Sequence, residues 1–182
     1  MKNITLLLLL FSSLLFAKSG IYLGAGYAHN TERVTYKSLD ETISNNAANI
    51  KIGYGDRKAY AVEFSLNYVD NKSNIFDTND GKKYGFDIAL LKAWDFGIYI
   101  YPYLKAGFGA GYLETPADLH NNSLTYGSFN LGIGFFLPLS DAIDIEVAYE
   151  HKNVSYQKPD QTINENPISS IHIVYTGLNF RF

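Results

Sequence analysis

Eight stretches of this chain alternate apolar and small or polar side chains with a period of two, and glycine collects on the polar face. In the first, Ile21, Leu23, Ala25 and Tyr27 oppose Tyr22, Gly24, Gly26 and Ala28. The same pattern runs through 48–55, 60–68, 84–91, 104–111, 128–137, 143–150 and 174–182. A two-residue period is the signature of a strand, because successive side chains point to opposite faces. A soluble sandwich also alternates, but its polar face faces water and carries Lys, Glu and Thr rather than glycine. A glycine-filled polar face suits a narrow, crowded interior, which leaves the apolar, aromatic face outward. The pattern predicts an all-β fold, an eight-stranded antiparallel up-and-down transmembrane β-barrel, with strands of the ~9–11 residues that cross a membrane on a tilt.

The connections carry the same message independently. Asp56-Arg57, Trp94 to Gly97 and Pro138 to Asp141 read as tight turns, whereas 30–47, 70–82, 113–124 and 156–168 are long. Short and long alternate without exception, as in outer-membrane barrels with short periplasmic turns and long outer loops. An even number of strands then puts both chain ends in the periplasm. Strand eight must pair with strand one, because an open edge in hydrocarbon leaves backbone polar groups unsatisfied.

Met1-Lys2-Asn3 followed by an apolar run from Ile4 to Phe16 reads as a secretory signal peptide, residues 1–17, cleaved after Ala17; the run is too short for the ~20 residues of a spanning helix. Residues 18–182 then form the barrel domain. The chain has no cysteine, so stability rests on packing and hydrogen bonding rather than on disulfides. A net charge of −3 argues against nucleic-acid binding. No motif for a cofactor is present.

The chain ends Tyr175-Thr176-Gly177-Leu178-Asn179-Phe180-Arg181-Phe182. Tyr175, Gly177, Phe180 and the terminal Phe182 resemble the signal by which the barrel assembly machinery recognises its substrates. The whole of 18–182 resembles the small eight-stranded barrel family that includes the OmpA transmembrane domain and OmpX. The resemblance implies a bacterial outer-membrane protein, a monomer in contact with lipid and lipopolysaccharide. It implies no particular activity, because this fold serves structural proteins, adhesins and enzymes alike.

Charges of both signs occupy the inward face. Folding strands two and three about Asp56-Arg57 sets Lys51 opposite Glu63. Folding four and five about Asp95-Phe96 sets Asp87 opposite Lys105. Asp144 and Glu146 start strand seven beside Arg181 at the end of strand eight. These read as interior charge pairs that fill the lumen; the competing reading is a narrow ion path.

His29, His151 and His172 fall on the lipid-facing parity at similar counts from the periplasmic end. They suggest a row at the outer interface, although unrelated interfacial polar residues are the simpler account and no carboxylate is placed to complete a metal centre. Lipid A deacylases also carry an outward His on a late strand, with a Ser two positions on. Here Lys152 and Asn153 follow His151, Ser155 is a step too far, and Ser170 precedes His172, so that chemistry lacks its nucleophile. Asp77 to Gly81 resembles a calcium-loop fragment without the later Glu and reads as a loop tip. The expected function is therefore non-enzymatic: a structural or interaction barrel whose outer loops meet an unknown partner. A lipid A-modifying enzyme and a small-solute pore are the alternatives.

Overall fold

The computed structural model describes residues 20–36, 39–71, 80–115, 123–158 and 166–182. Eight antiparallel strands form one closed barrel in chain order: β1 Gly20–Tyr36, β2 Leu39–Gly55, β3 Tyr60–Asp70, β4 Lys83–Ala93, β5 Tyr101–Glu114, β6 Ser123–Pro138, β7 Ile143–Tyr156 and β8 Ile168–Arg181. β8 pairs with β1 along fourteen residues, from Tyr22 opposite Arg181 to Thr35 opposite Ile168, so no edge is left open. The proposed signal peptide, and residues 77–79 of the calcium-like segment, lie outside the described residues.

The strands slant steeply. Stepping between register partners from Gly24 leads through Lys51, Ser65, Asp87, Gly109, Ser128, Val154 and Ser169 and returns to β1 at Val34, ten residues further along (34 − 24). This stagger sets the tilt of a closed barrel. It also means that residues on one level are not register partners, and inward side chains meet across strands that are far apart in sequence.

The outward face is apolar as the alternation requires. Ile21, Ile50, Ile52, Leu66, Ile88, Leu104 and Ile133 are all exposed. Near the end that bears the long connections, Tyr68 meets Tyr84 edge-on and Tyr84 stacks on Tyr112, with ring centroids 5.5 and 5.0 Å apart. Tyr60 and Trp94 mark the short-turn end, where the Lys92 ammonium sits 4.1 and 5.9 Å from their ring centres. Two aromatic girdles flanking an apolar band match a bilayer's two interfaces.

Inside, large side chains face glycine. A Cβ on Gly53 would lie 2.1 Å from the Tyr22 ring, and one on Gly109 would lie 1.9 Å from Asp87 Oδ1. The glycine on the polar face thus makes room for rings and charged groups from the neighbouring strands.

Three sequence expectations need correction. The stretch 30–47 is not a loop: β1 and β2 stay paired from Asn30 opposite Asn45 to Tyr36 opposite Leu39, so this hairpin projects well past the apolar band. The β2–β3 turn spans residues 56–59, with Ala59 N–H donating to Asp56 O at 3.1 Å; Lys51 therefore opposes Ser65, and Glu63 opposes Gly53. The β4–β5 connection spans 94–100, so Asp87 opposes Gly109 and Lys105 opposes Leu91. There Asp95 Oδ1 accepts the Gly97 N–H at 2.9 Å, and Gly97 holds φ +73°, a conformation natural to glycine. The hydrogen bond from Lys58 holds the Asp95 carboxyl below its ordinary pKa.

The alternation of connections fixes which end faces outward, and labelling checks it. An impermeant thiol reagent added to intact cells should label Lys158→Cys and leave Asp56→Cys and Ser140→Cys unlabelled. Labelling of either turn position from outside would invert the topology.

Candidate functional site in the barrel lumen

The lumen is organised in layers. At the short-turn end, Asp144 is fully buried and is gripped by two guanidinium groups: Arg57 Nη1 at 2.7 Å, and Arg181, whose Nε donates to its other oxygen. Arg57 also donates to Ser140 O at 3.0 Å, tying the β2–β3 turn to the β6–β7 turn.

Above this lie Tyr22, Tyr103 and Phe136, all buried, with Tyr103 and Phe136 stacked at 4.8 Å. The two tyrosine hydroxyls reach up into the central charge cluster. Tyr22 donates to Glu63 at 3.0 Å, and Tyr103 donates to Glu146 at 2.6 Å.

In that cluster Lys51 Nζ lies 2.7 Å from Glu146 and 3.2 Å from Glu63. Lys105 Nζ lies 3.0 Å from Glu63 and 2.7 Å from Glu150. Asn179 donates to Glu146 at 2.8 Å. The result is a chain of alternating charge, Glu146–Lys51–Glu63–Lys105–Glu150, that crosses the bore. Tyr175 closes it from β8, with the Lys51 ammonium 4.5 Å from its ring centre.

A cavity of about 30 Å³ follows, lined in part by Asn49, Asn67, Asp87 and Lys152. It has room for about one water. Asp87 accepts from Lys152 Nζ and from Asn67 Nδ2, both at 2.6 Å. Further out, Lys83 Nζ sits 2.8 Å from both carboxylate oxygens of Glu32, and Tyr156 donates to the same carboxylate at 3.2 Å. A buried apolar group of Val34, Leu113, Tyr126, Val154 and Ile171 packs around Tyr156 at this end.

The seven charged residues predicted from sequence thus all sit inside, but not all in the predicted pairs. Lys51 meets Glu63, and Arg181 meets Asp144. Glu146 belongs to Lys51 rather than to Arg181. Asp87 and Lys105 are not partners: the longer β4–β5 connection moves Lys105 down to Glu63 and Glu150, while Asp87 takes Lys152 from across the barrel. Sequence reading missed Glu32 with Lys83, Lys152 as the partner of Asp87, Glu150 as a partner of Lys105, and Arg57. The first four lie on the inward parity of their strands, so following the alternation through to both ends of each strand finds them. Arg57 lies in a turn and has no periodic signal. Counting these, Lys51, Arg57, Lys83, Lys105, Lys152 and Arg181 face Glu32, Glu63, Asp87, Asp144, Glu146 and Glu150: six of each sign among the described residues. Burying charge is tolerable only when it is paired in this way.

On the outer wall, His151 and His172 are direct register partners on β7 and β8, their ring centroids 4.9 Å apart. His29 opposes Val174, two residues along β8 from His172, and bonds Asn46 Oδ1 at 3.2 Å. At the C-terminus, Phe180 and Phe182 are exposed on the lipid face, whereas Tyr175 and Gly177 point inward.

A search by sequence against curated proteins gives no match. Several solved structures share the fold. Neisserial surface protein A aligns with a TM-score of 0.68 at 15% identity, covering 89% of this chain and 97% of its own. Ail, the attachment invasion locus protein of Yersinia pestis, solved with the heparin analogue sucrose octasulfate, aligns at 0.55 and 16%, covering 90% and 99%. OprG of Pseudomonas aeruginosa aligns at 0.54 and 12%, covering 91% and 96%. Across residues 4–182 the sequence matches the family model described as the outer membrane protein beta-barrel domain, and with the closed eight-stranded barrel beneath it the chain belongs to that family.

Proposed function

We propose that this protein is a non-enzymatic interaction barrel of the bacterial outer membrane: a sealed, charge-filled cylinder that carries binding surfaces above the lipopolysaccharide. The observation that carries the reading is the lumen. Five successive layers of paired charge and packed rings leave a cavity of about 30 Å³, too small for a solute. A rigid barrel with no interior task is suited to holding what lies at its outer end. That end includes the β1–β2 hairpin and the connections 70–82, 113–124 and 156–168. The attachment role named for Ail is compatible with such a design.

A lipid A deacylase is less well supported. Asn153 stands where its nucleophile belongs, and its register partner Ser170 hydrogen-bonds neither His151 nor His172. In the same reading residues 1–17 are removed on export. Tyr175, Gly177, Phe180 and Phe182 then engage the assembly machinery, with the two exposed phenylalanines presented to it.

The test uses cells that lack the protein and cells that overproduce it. Their lipid A mass spectra should be identical. Replacing 35–40 at the tip of the β1–β2 hairpin, together with 72–79, 116–122 and 159–165, by two-residue turns should leave a heat-modifiable barrel in the membrane but abolish any surface adhesion the wild type confers. A change in lipid A acylation, or adhesion that survives the loop replacement, contradicts the reading.

A further inference from the structure

We propose that His151 and His172 form a binding site for a divalent transition-metal ion, of the Zn2+ or Cu2+ class, on the outer wall of the barrel. Two imidazoles on adjacent strands in direct register are held a fixed distance apart by the sheet itself. Here they share the outward face with centroids 4.9 Å apart and planes tilted by 48°. A tetrahedral ion with metal–nitrogen distances of about 2.0–2.1 Å needs two nitrogens about 3.3 Å apart. Rings at this separation reach that by small turns about their side-chain bonds, with no movement of the backbone.

One ring is already oriented. Tyr149 lies two residues before His151, on the same face, and its hydroxyl is 2.6 Å from His172 Nδ1. When Nδ1–H donates to the Tyr149 oxygen, Nε2 carries the free lone pair and becomes the ligand atom. A fixed hydrogen bond to the distal nitrogen is what sets tautomer and orientation at metal-binding histidines.

One step outward, Asn153 and Ser170 are themselves register partners on the same face and offer oxygen atoms beside the pair. Among the described residues no three His, Cys, Asp or Glu side chains converge, so the remaining positions fall to these oxygens and to water. Two imidazoles without thiolate or carboxylate select a borderline transition metal over Mg2+ or Ca2+, which prefer oxygen cages.

Height favours access. The climb of ten residues over eight strands is about one residue per strand. Counted so, the pair lies about level with His29 and with Tyr68 and Tyr84 of the outer girdle, where water and headgroups meet the wall.

The experiment titrates Zn2+ into the refolded protein in a non-ionic detergent free of lipopolysaccharide, by calorimetry. Imidazole resonances are followed in parallel by NMR. One ion should bind, and the His151 and His172 signals should shift together while that of His29 stays. His151→Ala and His172→Ala should each weaken binding about tenfold or more, Tyr149→Phe less, and His29→Ala not at all. Each variant's unboiled gel mobility reports whether the barrel has formed. Absence of binding, wild-type affinity in the His151→Ala/His172→Ala double variant, or a shift of only one of the two imidazoles overturns the proposal. The NMR result on the wild type stands even if a variant does not fold.

Discussion

Replacing Glu63 with leucine should lower the unfolding free energy by about 3 kcal/mol, the lower end of the ~3–5 kcal/mol that loss of one partner from a buried ion pair costs. Glu63 is 1% exposed and is the middle of the chain that crosses the bore. It holds Lys51 at 3.2 Å and Lys105 at 3.0 Å and accepts the Tyr22 hydroxyl at 3.0 Å. Without it both lysines keep one carboxylate, Glu146 and Glu150, which is why the low end applies. The lumen nevertheless gains an uncompensated positive charge, and Tyr22 loses its acceptor. Urea unfolding followed by the fluorescence of Trp94, the chain's one tryptophan, measures the loss. Lys58→Ala, which breaks the exposed pair with Asp95, should leave the midpoint unchanged. A Glu63→Leu variant as stable as the wild type would mean that the lumen is wet enough to screen its charges.

The second large effect discriminates between two pairings. Asp87→Leu and Lys152→Met should each destabilise by about 3 kcal/mol, and the double variant by less than their sum, with a coupling of about 1–3 kcal/mol. The 2.6 Å contact across the barrel is the reason. The cycle of Asp87→Leu with Lys105→Met should show a coupling of about 0.5 kcal/mol or less, because Lys105 bonds Glu63 and Glu150 instead. A larger coupling for Asp87 with Lys105 than with Lys152 would show that the β4–β5 register is four residues shorter than described.

That register shows what sequence can and cannot reveal here. Which face of each strand a residue occupies follows from parity alone, and parity survives any error of two or four residues. Lys51, Glu63, Asp87, Lys105, Asp144, Glu146 and Arg181 accordingly share the inward parity of their strands. Partner choice depends on turn length, and turns do not follow the two-residue period. Residues 58–59 and 98–100 are apolar or ambiguous enough to read as strand, so both turns look shorter in the sequence than they are. Barrel stagger adds a second displacement that no local pattern encodes: Lys51 on β2 reaches Glu146 on β7, ninety-five residues away. The β1–β2 projection went unread for a different reason. Beyond the membrane the outward face of the hairpin turns polar, and Thr31, Arg33, Thr42 and Ser44 resemble a loop once the apolar half of the alternation there is gone.

Asn179 illustrates the same limit. By parity it is an inward residue between two lipid-facing ones, unremarkable beside the C-terminal aromatics. In the barrel it is fully buried and hydrogen-bonded to Glu146, so substituting it disturbs the lumen as well as the terminal segment. Thr176, exposed on the outer face of the same strand, is the appropriate control for any test of Phe182 in assembly.

The sealed lumen is the central claim, and single-channel recording tests it most directly. Wild-type protein refolded into a planar bilayer should show no discrete conductance steps, because ions would have to displace both the Glu146–Lys51–Glu63–Lys105–Glu150 chain and the apolar group around Tyr156. A variant that removes side chains in balanced charge, Lys105→Ala with Glu150→Ala, together with Tyr156→Ala, should remain folded by unboiled gel mobility and still pass no current, because the layer of Tyr22, Tyr103 and Phe136 and that of Asp144 with Arg57 and Arg181 stay in place. Reproducible steps from the wild type, at neutral pH and moderate salt, would contradict the account and make this barrel a pore.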